Sequence, residues 1–192
     1  MSASVSKTRV LVECALMIAL ATILAYIPFI ELPQGGSITL CSMLPIMVVG
    51  WRHGAKWGLF TGFVHGLLQM MLGFKNVLYC TTLLSMVGCI LLDYIIAFSV
   101  LGTVAVFAKP FKNRLVGVAV SCVVAGLLRY LCSFLSGMLI WGGYAPEGTP
   151  VWIYSLTYNG SYMIPEIILT TIAAVLVAKF VLPRLQPAEA SC

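Results

Sequence analysis

The chain has 192 residues, of which 61% are hydrophobic and only 9% charged, with a formal net charge of +5; the mean hydropathy is +1.05. So little charge cannot keep a soluble domain dispersed, and the apolar stretches are too long for strands and lack the alternation of an outer-membrane barrel. This leaves an all-α integral membrane protein, and the length fits a single membrane domain over residues 1–192.

Six hydrophobic segments follow one another, at roughly 10–28, 38–50, 57–72, 77–107, 115–140 and 161–182. Lys7 and Arg9 precede the first, which runs on to about Ile30. That is longer than a secretory h-region of about 7–15 residues, so the reading is an uncleaved first helix. It carries Ala15 and Ala19 four apart, then Ala21 and Ala25. Small-xxx-small spacing admits another helix closely, and ordinary internal packing produces the same pattern. The connection "PFIELPQGGSI" holds Pro and Gly that forbid a continuous helix. Segments two and three are short for a full span of about 20 residues. The basic connection "WRHGAK" between them places His53 in a solvated or headgroup position, while His65 in "GFVHGLLQ" reads as a packing histidine.

Segment four is long enough to span with tilt or a bend, and Asp93 is its one charge; the next connection, "AKPFKNR", is short and basic. In segment five Arg129, Ser133 and Ser136 stand at i, i+4 and i+7, on one helical face. Gly137 on the same stretch lets a ligand or a neighbouring helix come close. The face leads outward to Trp141 and to "WGGYAPEGTPVWIYSLTYNG", the longest connection, expected as an outer loop before segment six. Its aromatic residues fit an interfacial belt or, with the polar insert "SLTYNG", the wall of a pocket. "NGS" at 159–161 fits a glycosylation sequon, a pattern short enough to recur by chance.

With six segments, Lys7, Arg9, Arg52, Lys56, Lys109, Lys112, Arg114, Lys179 and Arg184 all flank one side, and only Lys75 the other. The positive-inside rule then puts both termini in the cytoplasm. Five or seven segments would spoil that separation. Asp93 and Arg129 are the charges read as deepest, each costing about 2.5–3.5 kcal/mol near a helix centre on insertion scales. Either they pair and lock segment four to segment five, or Asp93 faces a cationic or amine-bearing ligand. Trp141 above would suit such a ligand, since indole is the best cation–π partner.

No GxSxG, HExxH, paired carboxylate or GxxxxGK[ST] pattern occurs, and the seven cysteines form no CxxC or Cys/His cluster. No catalytic set, metal, cofactor or nucleic-acid partner is expected. Uphill movement of a solute would draw its energy from a partner or from an ion gradient.

The chain resembles the thiamine-specific substrate-binding subunits (S components) of energy-coupling factor (ECF) vitamin transporters. The resemblance covers nearly the whole chain and rests on the basic start with the Ala15/Ala19 helix, on "GGSITLCSMLPIMVVGWRHGAKWGLFTG", and most specifically on "LLDYIIAF", "RYLCSFLSGMLIWGGYAPEG" and "YSLTYNGSYMIPE". It implies six transmembrane helices in the bacterial cytoplasmic membrane and a thiamine site near the outer face. It also implies reliance on a transmembrane coupling subunit and two ATPases. By the same resemblance Asp93 holds the aminopyrimidine, Arg129 is a deeper basic group, Trp141 stacks on the ligand, and Tyr154 and Asn159 meet the pyrimidine. Ala15 and Ala19 match the surface for the coupling subunit. Ser133 stands where a described member has a histidine. The alternative is a self-sufficient proton-coupled transporter of a small cation or amine, with Asp93 as its proton site; such proteins usually carry internal repeats, and none is evident here.

Overall fold

The computed structural model describes residues 6–32 and 36–181; Arg184 and Cys192 lie outside the described residues. Helix α1 spans Lys7–Ala25, opened by the Ser6 hydroxyl accepting the Arg9 N–H. The chain then makes a small antiparallel hairpin, β1 (Pro28–Glu31) with β2 (Ser37–Thr39), where the Pro and Gly ruled out a helix. Helices α2 (Leu44–His53) and α3 (Ala55–Leu72) follow, parted only by Gly54, whose φ of 86° lies in the left-handed region open to glycine. A short α4 (Phe74–Leu78) leads to α5 (Leu83–Ala108), α6 (Arg114–Leu139) and α7 (Val151–Phe180).

Four of these, α1, α5, α6 and α7, are long and apolar enough to cross a membrane. Their outer faces are what lipid requires: Leu16, Leu20, Ile23, Ile168, Ile172 and Leu176 are all exposed, a surface that water would not tolerate as a continuous patch. Inward faces are lined instead with small and weakly polar residues, as in α6 with Ser121, Cys122, Ala125, Gly126, Ser136 and Gly137. α2 has ten residues and rises only about 15 Å, half the hydrocarbon thickness. It is apolar all round because it is enclosed all round: Ile46, Met47 and Val49 are fully buried. With Met43, Ile46 and Met47 meet Leu101 and Val104 of α5, Cys122 and Ala125 of α6, and Met163 of α7 in the main core, while Val49 packs with Val10 and Cys14 of α1.

A row of glycines sets the packing of α3 on α5. A Cβ at Gly58, Gly62 or Gly66 would meet the backbone carbonyl of Gly102, Phe98 or Tyr94 respectively. The four-residue spacing in "GLFTGFVHG" keeps all three on one face, so the two backbones touch directly. α5 departs from α-helical winding twice, as a π-helix over Ile90–Ile95 and a 3₁₀ turn over Val100–Thr103. The π stretch contains Asp93, and such bulges recur at functional sites.

Three boundaries differ by six residues or more from the hydropathy reading. Segment four, read from 77, begins as α5 at Leu83, after the separate short α4. Segment two begins six residues later than expected, because 37–39 belong to the hairpin. Segment six begins ten residues earlier, at Val151. The insert "SLTYNG" is therefore helix and not outer loop. Two of its polar residues, Ser155 and Asn159, are buried, while Thr157 is exposed and donates back to the Ile153 carbonyl. Pro165 sits inside α7, where its missing N–H is tolerated because a membrane helix can re-satisfy the freed carbonyl.

Candidate functional site

A cavity of about 600 Å³ opens at one end of the bundle, lined by residues of α1, the β-hairpin, α3 to α7 and the α6–α7 connection. The basic residues of the chain's connections gather at the opposite end, Lys75 alone standing at the cavity's rim. The volume is in the range of small-molecule sites. Asp93, Arg129, Ser133, Trp141, Tyr154 and Asn159 all face this one space. They come from three helices and a loop, separated by up to 66 positions in sequence (93 to 159), and only the antiparallel packing of α5, α6 and α7 unites them.

Asp93 and Arg129 are not paired with each other. The Asp93 carboxylate accepts the Trp141 indole N–H at 3.1 Å through Oδ2. The Arg129 guanidinium lies over the Phe98 ring, 4.4 Å from its centroid. Among the described residues the only salt bridges join Glu13 to Arg52 and to His53. Each deep charge thus has uncharged partners: the Trp141 N–H for the carboxylate, with the Ser136 and Cys89 side chains also against it, and a π-face for the guanidinium. His53, expected in a solvated or headgroup position, instead sits 3.0 Å from Glu13.

On α6 the expected polar stripe divides. Arg129, Ser133 and Gly137 reach the cavity wall, whereas Ser136 is buried. A Cβ at Gly137 would collide with the Ser155 hydroxyl, so this glycine admits α7. Ser155 Oγ donates to the Phe134 carbonyl at 2.7 Å and Tyr130 Oη to the Leu156 carbonyl at 2.7 Å. These bonds fasten α6 to α7 beside the site.

Along α7 the rings of Tyr154 and Tyr158 stack with centroids 5.6 Å apart, and Tyr158 meets Tyr162 edge-on at 6.2 Å. Trp141 and Tyr144 lie 6.1 Å apart across the mouth. Of the aromatic segment, Trp141, Tyr144, Tyr154 and Tyr158 wall the cavity, while Trp152 is exposed. The Asn159 amide is held by its own helix. Its Nδ2 donates to the Ser155 carbonyl and hydroxyl at 2.9 and 3.2 Å, and its Oδ1 accepts from Tyr162 Oη at 2.7 Å. Both amide protons are engaged, so what Asn159 retains for a ligand is the second lone pair of Oδ1. A residue buried this way inside a helix is no glycosylation acceptor, and the NGS match is fortuitous.

Glu166 was missed. It is buried on α7, and its carboxylate accepts both the backbone N–H of Thr39 and the Thr39 hydroxyl, each at 2.7 Å. Ser42 Oγ lies 2.7 Å from the same hydroxyl. The acid therefore ties the hairpin to α7 at the cavity wall. With segment six started at 161 it stood near a helix end; with α7 starting at Val151 it is at mid-helix, where an acid always needs an explanation. Gln69, Phe98 and Tyr162 were likewise not singled out and line the same wall. His65 packs edge-on against Phe98 at 4.9 Å, a core histidine as expected. Ala15 and Ala19 lie far from all this, together on an exposed face of α1.

The cavity thus gathers one carboxylate, one guanidinium, a set of flat rings, and amide and hydroxyl groups, several of them fixed by their own helices. No group of three or more metal-binding side chains occurs among the described residues.

Residues 11–186 match the family described as Thiamine transporter protein (Thia_YuaJ). A Bacillus subtilis (strain 168) protein named thiamine transporter ThiT is 41% identical over 173 residues, covering 84% of this chain and 86% of its own length. A Lacticaseibacillus paracasei protein of the same name is 34% identical over 178 residues, covering 85% and 83%. The solved structure of ThiT from Listeria monocytogenes superposes with a TM-score of 0.76 at 26% identity, over 93% of this chain and 97% of that one. These relatives are named as transporters and not as enzymes. With the family matched over residues 11–186 and a relative 41% identical, the chain belongs to the thiamine transporter protein family.

Proposed function

We propose that the protein is the S component of an ECF-type importer that binds thiamine in the cavity between α5, α6 and α7. In this reading six segments cross the bacterial cytoplasmic membrane. α2 with the hairpin counts as the second and α3 as the third. Both termini are cytoplasmic, and the cavity opens at the outer face. The observation that carries it is the placement of a carboxylate, Asp93, on a ring-lined cavity without a cationic side chain paired to it.

Thiamine has a permanently cationic thiazolium and an amino group on its pyrimidine. Asp93 supplies a charge-assisted acceptor to that amine and favours a positive ligand overall, so the cost of placing a carboxylate in the membrane is offset in the bound state. The Trp141 N–H fixes both the carboxylate and the ring plane, which presets Trp141 for stacking. The remaining lone pair of Asn159 accepts a second amine proton, and Tyr154 adds its ring face. Arg129 and Ser133 supply donors deeper in the cavity. Where a described member has a histidine, the shorter Ser133 hydroxyl can still hydrogen-bond the ligand but with a different reach. The chain carries no nucleotide motif, so a coupling subunit and two ATPases provide the energy, and the exposed Ala15/Ala19 face of α1 is the contact for the coupling subunit.

Uptake of labelled thiamine into proteoliposomes tests this. Accumulation that requires the coupling subunit, the ATPases and ATP is the expected result. Accumulation by this chain alone under a pH gradient would make it a proton-coupled transporter instead.

A further inference from the structure

We propose that the opposite end of the molecule carries a built site for an anionic phospholipid headgroup. A second cavity, of about 400 Å³, lies between the end of α2, the end of α5, the turn that follows, and the start of α6. Its lining is cationic at the exposed Lys109, Lys112 and Arg114, and apolar at the half-buried Trp51 and the buried Val118, with Phe111 exposed at its edge.

Three features set this cluster apart from an ordinary basic loop. The first is that its charges are uncompensated. Among the described residues no carboxylate lies within ion-pair distance of Lys109, Lys112 or Arg114, whereas the nearby Arg52 is bound to Glu13 at 2.8 Å. The second is that Arg114 opens α6 and no acidic residue occupies the first turn. A cation at a helix N-terminus opposes the helix dipole, and a bound anion would satisfy both at once. The third is that the cavity is held in shape. Trp51 donates its indole N–H to Ser121 Oγ at 3.0 Å, which fixes the ring as a wall. Asn113 caps α6 by accepting the Leu115 N–H at 2.9 Å. The connecting turn lies directly on α6, because a Cβ at Gly117 would come within 3.0 Å of the Ala108 carbonyl and 3.3 Å of Phe111 Cβ.

A phosphodiester carries one negative charge with several acceptor oxygens, and its glycerol and first methylenes are apolar. The cationic side chains receive the former, and Trp51, Phe111 and Val118 the latter. Basic pockets between transmembrane helices take anionic lipid headgroups on these terms, and an indole at the headgroup level is favourable in itself. A soluble phosphate uses the cationic side chains but not the apolar ones. The orientation proposed above makes this the inner leaflet; the site itself does not depend on that orientation.

The test is native mass spectrometry of the full chain released from detergent containing equal phosphatidylglycerol and phosphatidylcholine, where leaflets do not exist. Phosphatidylglycerol is expected to be retained in preference. The K109Q/K112Q/R114Q variant should bind it on the order of a hundredfold more weakly, at roughly fivefold per charge. The K7Q/R9Q variant, neutralised at the same end but outside the cavity, should bind it normally. An unchanged thermal midpoint in the triple variant shows that the fold is intact. The proposal is overturned if the triple variant retains the lipid as the parent does, if both variants lose it alike, or if phosphatidylcholine is held equally. It is also overturned if millimolar inorganic phosphate displaces the lipid, which would make the ligand a soluble anion. Loss of reconstituted uptake in the triple variant without any lipid retention by the parent would reassign the patch to a protein partner.

Discussion

Asp93 and Trp141 act as one unit, and a double-mutant cycle on thiamine binding exposes this. Asp93→Asn keeps the size and removes the charge. The carboxylate's contribution to a ligand amine is that of a hydrogen bond to a charged group, about 1.5–3 kcal/mol. The dissociation constant should therefore rise between roughly tenfold and 150-fold. Trp141→Phe keeps a stacking ring but deletes the N–H that reaches Asp93 Oδ2 at 3.1 Å. The carboxylate then loses its fixed donor and part of its orientation, worth about 1 kcal/mol. Because the two side chains touch, the double variant should fall short of the sum of the singles by about 0.5–1 kcal/mol. Isothermal titration calorimetry is the assay, since one variant removes a fluorophore. Unchanged affinity in folded Asp93→Asn protein would remove Asp93 from the site. Strict additivity would show that the Trp141 contact has no part in how Asp93 meets the ligand.

Glu166→Gln replaces a doubly accepting carboxylate with an amide that accepts through one oxygen only, so hydrogen exchange at the Thr39 amide should accelerate and the hairpin detach more readily; equal protection in both proteins would show that the hairpin is held by other contacts. Replacing Ala15 and Ala19 together by Trp adds bulk to an exposed face and should leave thiamine binding near normal while abolishing ATP-dependent uptake. Normal uptake would place the coupling surface elsewhere, and lost binding would mean that this face packs within the subunit. Gly62→Ala drives a methyl against the Phe98 carbonyl and the Ser99 backbone and should destabilise the protein by about 1–3 kcal/mol in thermal unfolding. Gly143→Ala, where a Cβ meets nothing within 4 Å, should be neutral.

The sequence alone determined the class of protein, because composition and hydropathy report the solvent directly. It also marked the site's charged groups, since a carboxylate or guanidinium inside an apolar run is too costly to be incidental. Asp93, Arg129 and Trp141 could be named from such anomalies, and the resemblance added Tyr154 and Asn159. The four-residue glycine spacing of α3 was in the sequence as well, but its meaning depended on knowing that α5 lies opposite. What only the tertiary structure decided were matters of facing. Hydropathy cannot distinguish polar residues that turn toward water from polar residues that turn toward an interior cavity, so "SLTYNG" read as loop when it is about a turn and a half of α7 with Ser155 and Asn159 buried. That one boundary also hid Glu166. Whether Asp93 pairs with Arg129 was open for the same reason: the two are 36 positions apart, and only the packing of α5 against α6 shows that the carboxylate meets Trp141 and the guanidinium Phe98. Periodicity gives each helix its inward side, but only packing says what stands across from it.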